Sequence, residues 1–169
     1  MQVLTLGNEL LRQKAEKIEK IDAETAELAE KMFEILKAEQ GIGLAGPQIG
    51  FMKRIFVTNV HDDEPRVYIN PSILETSVET SKCEEGCLSI PGVYTQVVRP
   101  ESIKLQAWNE KGKPFTIEAA GLVARVILHE YDHLEGILFL DRLPEDKREK
   151  LLEKYEKGEL TRKKDKRQE

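Results

Sequence analysis

The stretch 121-GLVARVILHEYDHLEGI-137 decides how this chain is read, because it reads as one helix and carries H-E-x-x-H at His129, Glu130 and His133. Residues four apart share a helix face, so both imidazoles can reach one metal ion while Glu130 stands against the ion's open side. That is the geometry of a metallohydrolase. The plainer alternative is an amphipathic helix whose two histidines are satisfied by hydrogen bonds. A helix bearing such a site belongs in the interior, and the remaining elements are expected to be built around it.

Upstream, residues 23–39 read as a helix with Leu28, Met32, Ile35 and Leu36 on one apolar face and Gly41 just past its end. Short runs rich in β-branched residues follow at 53–61, 66–71, 93–99, 102–109 and 114–119, the last two forming a hairpin across the Asn109–Lys113 turn. After the 121–137 helix, residues 144–158 read as a second, exposed helix with Pro144 in its first turn. Strands and helices do not alternate, which excludes a doubly wound sheet. The order predicts an α+β fold: short mixed or antiparallel sheets around a central helix that carries HEYDH, plus a C-terminal helix. A single domain is expected over 1–169, with 159–169 a basic tail.

The chain has 169 residues, enough for one sizeable core, and 40% of them are hydrophobic. Its 31 acidic and 26 basic residues give a formal charge of -5, which argues against a nucleic-acid-binding surface over the whole molecule. Apolar runs such as Ile137–Leu140 are too short to span a bilayer, and the N-terminus lacks a signal-peptide pattern. No membrane association and a cytoplasmic location are expected. A disulfide between Cys83 and Cys87 would close too short a loop to stabilise much, so free thiols in a reducing compartment are expected.

Two histidines leave a tetrahedral site one protein ligand short. The acidic residues downstream lie in a helix end, a turn and a charged helix, whereas Cys87, in Glu85-Gly86-Cys87-Leu88-Ser89, offers a thiolate that completes a Cys, His, His set. Cys83 reads as a small buried residue and His61 as solvated. Residues 41–48, G-I-G-L-A-G-P-Q, match the dinucleotide fingerprint by letter only: the loop follows a helix, and Pro47 has no N–H to offer a phosphate. No nucleotide cofactor is expected. The glycines instead permit close approach of backbone to a ligand, with Gln48 presenting an amide donor.

Taken in order, GIGLAGPQ, EGCLS and HEYDH resemble the three signature motifs of the peptide deformylases, a likeness that covers about Leu4 to Leu143. The resemblance implies removal of the N-formyl group from nascent formyl-methionyl polypeptides. It implies Fe²⁺ as the native ion and Zn²⁺ as a frequent occupant of purified protein; spacing alone admits Zn²⁺, Fe²⁺, Co²⁺ or Ni²⁺. Gly46, Leu128 and Tyr94 depart from the family's commoner residues, with consequences for pocket shape and rate rather than for reaction type.

In this reading Cys87, His129 and His133 are ligands and Glu130 is the general base and acid. The backbone N–H of Leu88 and the amide of Gln48 are oxyanion donors, as the family pattern implies. Ile42, Gly43, Glu85, Gly86, Leu122 and Val126 are expected around the substrate, with Glu85 pairing Arg99 to fix the cysteine loop and Asp132 orienting a histidine or capping a turn. An H-E-x-x-H endopeptidase and a metal-stabilised binding protein are the competing classes. The former needs a cleft open on both sides and usually a downstream ligand; the latter has no use for Glu130. The run Arg162–Arg167, five basic residues against one acidic, is a candidate for docking to the ribosome.

Overall fold

A computed structural model describes residues 2–158. The basic run at 162–167 and the ribosome contact expected of it lie outside the described residues.

Helix α1, Ala23–Ala38, begins where Asp22 and Thr25 cap each other reciprocally, the Asp22 carboxylate accepting from Thr25 N at 3.2 Å. It ends in a left-handed residue, which is Gln40 (φ 56°) and not the glycine after it. The amides of Gln40 and Gly41 then close back onto Lys37 O and Leu36 O. Gly41 is needed for space instead: a Cβ there would lie 2.9 Å from Leu36 and 3.0 Å from Leu88.

Five strands form an antiparallel sheet: β1 (Gly43–Ala45), β2 (Ile55–Thr58), β3 (Arg66–Thr76), β6 (Ser102–Trp108) and β7 (Pro114–Ala120), in the order β1-β2-β3-β6-β7. Side chains alternate across it. Val57 pairs with Val67 and faces α1, joining Leu28, Met32 and Leu36. Phe56 pairs with Tyr68, their rings stacked at 4.5 Å, and faces the opposite side with Leu105 and Ala107. Against that second face packs α2, Gly121–Leu134, through Ala124, Ile127, Leu128 and Leu134. Each such buried leucine or isoleucine side chain contributes about 1.5–3 kcal/mol.

Two further strands, β4 (Thr80–Cys87) and β5 (Ile90–Pro100), form a separate antiparallel ribbon on the other side of α2. Ile90, Val93 and Val97 of β5 join Leu11, Leu138, Phe139 and Leu140 in a third apolar cluster. The metal-motif helix is therefore central, as expected, between sheet and ribbon. The last helix, α3 (Glu145–Glu156), buries no residue, and Pro144 stands just before its first turn rather than within it.

Strand β4 carries no recognisable pattern in the sequence, because in TSKCEEGC the buried side chain is an acid, Glu85. Its existence depends on pairing with the apolar β5. Cys83 is exposed on it, not buried, although it shares a face with Glu85, because burial on that face begins only at Glu85. No helix among the described residues is long and apolar enough to cross a membrane.

Candidate active site

Helix α2 places His129 and His133 one turn apart, with ring centroids 5.2 Å from each other. Strand β4 ends in an irregularity between Gly86 and Cys87 that swings the thiol towards them. Ligand atoms of Cys87, His129 and His133 all lie within 4.8 Å of one another, and Cys87 Sγ is 3.3 Å from His133 Nε2. Both cysteines are free thiols.

The surroundings orient these groups. His129 Nδ1 lies 2.9 Å from Glu85 Oε1; a carboxylate there only accepts, so Nδ1 carries the hydrogen and Nε2 is left to the centre. Glu85 receives further bonds on both oxygens from Arg99, at 2.7 and 3.0 Å, and on Oε2 from Arg125 at 2.7 Å. Burial would raise its pKa, but the hydrogen bonds from His129 and Arg99, with the Arg99 charge, hold it at about 2. Arg99 also donates to Asp132 at 3.0 Å, and Arg142 meets the same carboxylate at 2.7 and 3.1 Å. The expected Glu85–Arg99 pair is present. Asp132 bonds these two arginines rather than a histidine, and the histidine is held by Glu85 instead.

Glu130 is buried, and its Oε1 has no hydrogen-bond partner among the described residues. Burial is the main reason its carboxyl is pushed up to about 7; the Glu85 charge adds to this, and His129 opposes it. A Cβ on Gly43 would come within 2.5 Å of Glu130 Oε2 and 2.9 Å of Val126, so only glycine leaves that carboxylate its place. Gln48 is fixed at both ends: its Oε1 accepts from Ala45 N at 2.9 Å, and its Nε2 donates to Ser89 Oγ at 3.1 Å and points at Cys87 Sγ, 3.6 Å away.

The chemistry of this donor set fits a cation. It comprises one thiol, two imidazoles and an orphaned carboxylate oxygen, gathered where charge would otherwise be costly. Burial opposes charge on His129, yet Glu130, Cys87 and Glu85 raise its pKa well above the ordinary value, so the centre attracts positive charge. Burial, with the charges of His129 and Arg99, holds His133 well below the ordinary value, in the neutral form that ligates.

A cleft of about 350 Å³ opens onto this centre. Ile42, Gly43, Glu85, Gly86, Leu88, Leu122 and Val126 line it together with Gln48, Cys87, His129 and Glu130. His133, Arg99 and Asp132 are buried behind it. Gly86 also makes room for Tyr94, its partner across the ribbon, whose ring lies 2.5 Å from where a Cβ would be. Leu128 belongs to the core beneath the sheet, and a Cβ on Gly46 would meet Phe51 O at 2.6 Å. Sequence reasoning missed Arg125 and Arg142. For Arg125 a signal existed, a lone cation within the apolar run VARVIL of a helix read as interior; for Arg142, one charge in a charged segment, there was none.

The polypeptide deformylase family model matches residues 1–149. The peptide deformylase of Borreliella burgdorferi is 46% identical over 156 residues, covering 92% of this chain and 94% of that protein. That of Clostridium botulinum is 49% identical over 136 residues, covering 80% and 91%. Among solved structures, peptide deformylase from Ehrlichia chaffeensis in complex with actinonin superposes with a TM-score of 0.90 at 39% identity, covering 94% of this chain and 97% of the other. With the sequence match running from the first residue through the helix that bears both histidines, and the backbone agreeing over the same span, the chain belongs to the polypeptide deformylase family.

Proposed function

We propose that this protein hydrolyses the formyl amide at the N-terminal methionine of nascent polypeptides, releasing formate, with a divalent metal held by Cys87, His129 and His133 and Fe²⁺ as the native ion. The observation that carries the reading is the buried, unpartnered Oε1 of Glu130 beside that ligand set, on the wall of the cleft. An ion bound there supplies Lewis acidity, polarising the carbonyl and lowering the pKa of water.

Glu130 then takes a proton from the attacking water as its oxygen bonds to the formyl carbon. As the C–N bond breaks, the same carboxyl hands that proton to the departing amine, leaving formate and a free N-terminus. Burial raises this carboxyl above its ordinary value in the metal-free protein, which favours its taking up the proton it must later return. Gln48, anchored through Ala45 and Ser89, and the N–H of Leu88 donate to the carbonyl oxygen as it gains charge; one such donor is worth about 3–4 kcal/mol in the transition state. Ile42, Leu122 and Val126 form the apolar wall for the methionine side chain, with Gly43 and Gly86 beside them on the lining of the cleft.

A formyl carbon has only hydrogen opposite its oxygen and can press close to the centre. A methyl group would displace the carbonyl by about 1 Å, enough to cost roughly a hundredfold in rate. Formyl-Met-Ala-Ser is therefore expected to be turned over at least about a hundred times faster than acetyl-Met-Ala-Ser, with internal peptide bonds left intact. Comparable rates on the two peptides, or cleavage within an unformylated chain, would overturn the reading.

A further inference from the structure

The centre is assembled from two parts that no backbone ladder joins. Cys87 sits on the β4–β5 ribbon and the two histidines sit on α2, and the ribbon belongs to a different hydrogen-bonded sheet from the strands beneath the helix. Whether three ligand atoms meet at one point therefore depends on how the helix is docked against the ribbon, both in distance and along its axis.

Arg125 occupies the place where that docking is set. It is buried on α2, four residues before His129, so the two side chains leave the same helix face about 6 Å apart along the axis. Both grip one carboxylate: Arg125 Nη1 donates to Glu85 Oε2 at 2.7 Å, and His129 Nδ1 meets Oε1 at 2.9 Å. Arg125 also crosses the ribbon. Its Nη1 donates to Val97 O on β5 at 2.8 Å, and its Nη2 to Ser81 O and Oγ on β4 at 2.9 and 3.1 Å. The planar, forked guanidinium thus ties one turn of α2 to both strands and to the residue two positions before Cys87. Arg99 also links β4, β5 and α2, through Glu85 and Asp132, but it meets the helix after His129 and leaves the preceding turn to Arg125.

From this geometry we infer that Arg125 is a positioning residue for the metal centre: by clamping α2 to the β4–β5 ribbon through Glu85, Ser81 and Val97, it sets the spacing at which Cys87 converges with His129 and His133 on one ion. The inference rests on the Cys, His, His ligand set proposed above. Lysine in its place keeps a cation beside Glu85 but lacks the fork that spans Ser81 and Val97.

The test uses the full-length protein, stripped of metal and titrated with Co²⁺, reading affinity and the thiolate-to-cobalt charge-transfer band. The wild type is expected to show that band; its absence would overturn the ligand set itself. With the band present, Arg125→Met is expected to weaken Co²⁺ binding about 10- to 100-fold and to diminish or shift the band, and Arg125→Lys to fall between. Tyr68→Phe, which removes a buried hydrogen bond to Thr58 in the sheet core, controls for mere loss of stability and should leave both readouts in place. Wild-type affinity and spectrum in folded Arg125→Met would overturn the inference alone. So would a variant that raises KM for a formyl-methionyl peptide while the cobalt spectrum is unchanged, which would place Arg125 against substrate instead. Should Arg125→Met fail to fold, Arg125→Lys decides by the same criteria.

Discussion

At the scale of single residues, Glu130 is held in place by what it lacks. Its Oε1 has no partner among the described residues, and the missing Cβ of Gly43 leaves room for Oε2. A buried carboxylate without hydrogen bonds is destabilising, so a position that retains one is a position where a proton or a cation is handled. Glu130→Gln preserves shape and volume and does not touch the three candidate ligands. It is expected to keep one equivalent of metal while lowering kcat by at least about a hundredfold, because the amide cannot carry the proton. Metal analysis and turnover on the same preparation check this; wild-type kcat in that variant would remove Glu130 from the proton path. Gln48 differs in kind, since both ends of its amide are already committed, and its donor direction is set before any ligand arrives.

Among the elements, the β4–β5 ribbon is the one that brings the thiol to the helix. Its register is exact in pairing from Thr80↔Pro100 to Gly86↔Tyr94 and then slips at Cys87. The last regular pair is close-packed, because the Tyr94 ring occupies the space beside the Gly86 Cα that a side chain would need. Gly86→Ala must displace that ring, at a cost of about 1–3 kcal/mol typical of overpacking. In a Tyr94→Ala background the same substitution should cost much less, and a double-mutant cycle of urea unfolding measures the difference. Additive effects would show that the ring is not what excludes the methyl group. Helix α1, by contrast, supports the site only indirectly, by packing beneath the sheet whose first strand carries Gly43.

For the molecule as a whole, one set of charges, buried except at Arg142, joins ribbon, helix and the segment after it: Arg125 and Arg99 meet on Glu85, and Arg99 and Arg142 meet on Asp132. Removing one member of such a group leaves the others uncompensated. Glu85 is held at about 2, below its ordinary value of 4.5. For a depressed carboxyl the contribution to stability is complete above the unfolded pKa and disappears as pH falls through the folded one. In metal-free protein, ionised Glu85 is therefore worth on the order of 3 kcal/mol at neutral pH, and this is lost between about pH 5 and pH 2. Glu85→Gln should start less stable at pH 7 and lose less on acidification, as read from urea midpoints at a series of pH values. Parallel curves for the two proteins would remove Glu85 from the acid response.

The sequence by itself determined whatever depends on near neighbours. The helical spacing of His129 and His133, the hairpin of β6 and β7, the two-sided apolar character of β2 and the three ordered motifs all lie within a few residues, where periodicity and turn chemistry act. Cys87 was legible as a candidate ligand because a thiol beside a glycine is chemically distinctive wherever it falls, and the fold brings it to the two histidines. Only the tertiary structure decided the rest. Strand β4 is polar and exists through its pairing with β5, and Cys83 on it is exposed. Glu85, not Asp132, holds His129 across 44 positions of chain, and Arg125 reaches Glu85 across 40. No local pattern encodes such contacts. A buried charge is tolerated only where distant groups satisfy it, and which groups those are follows from how the helix packs between the sheet and the ribbon.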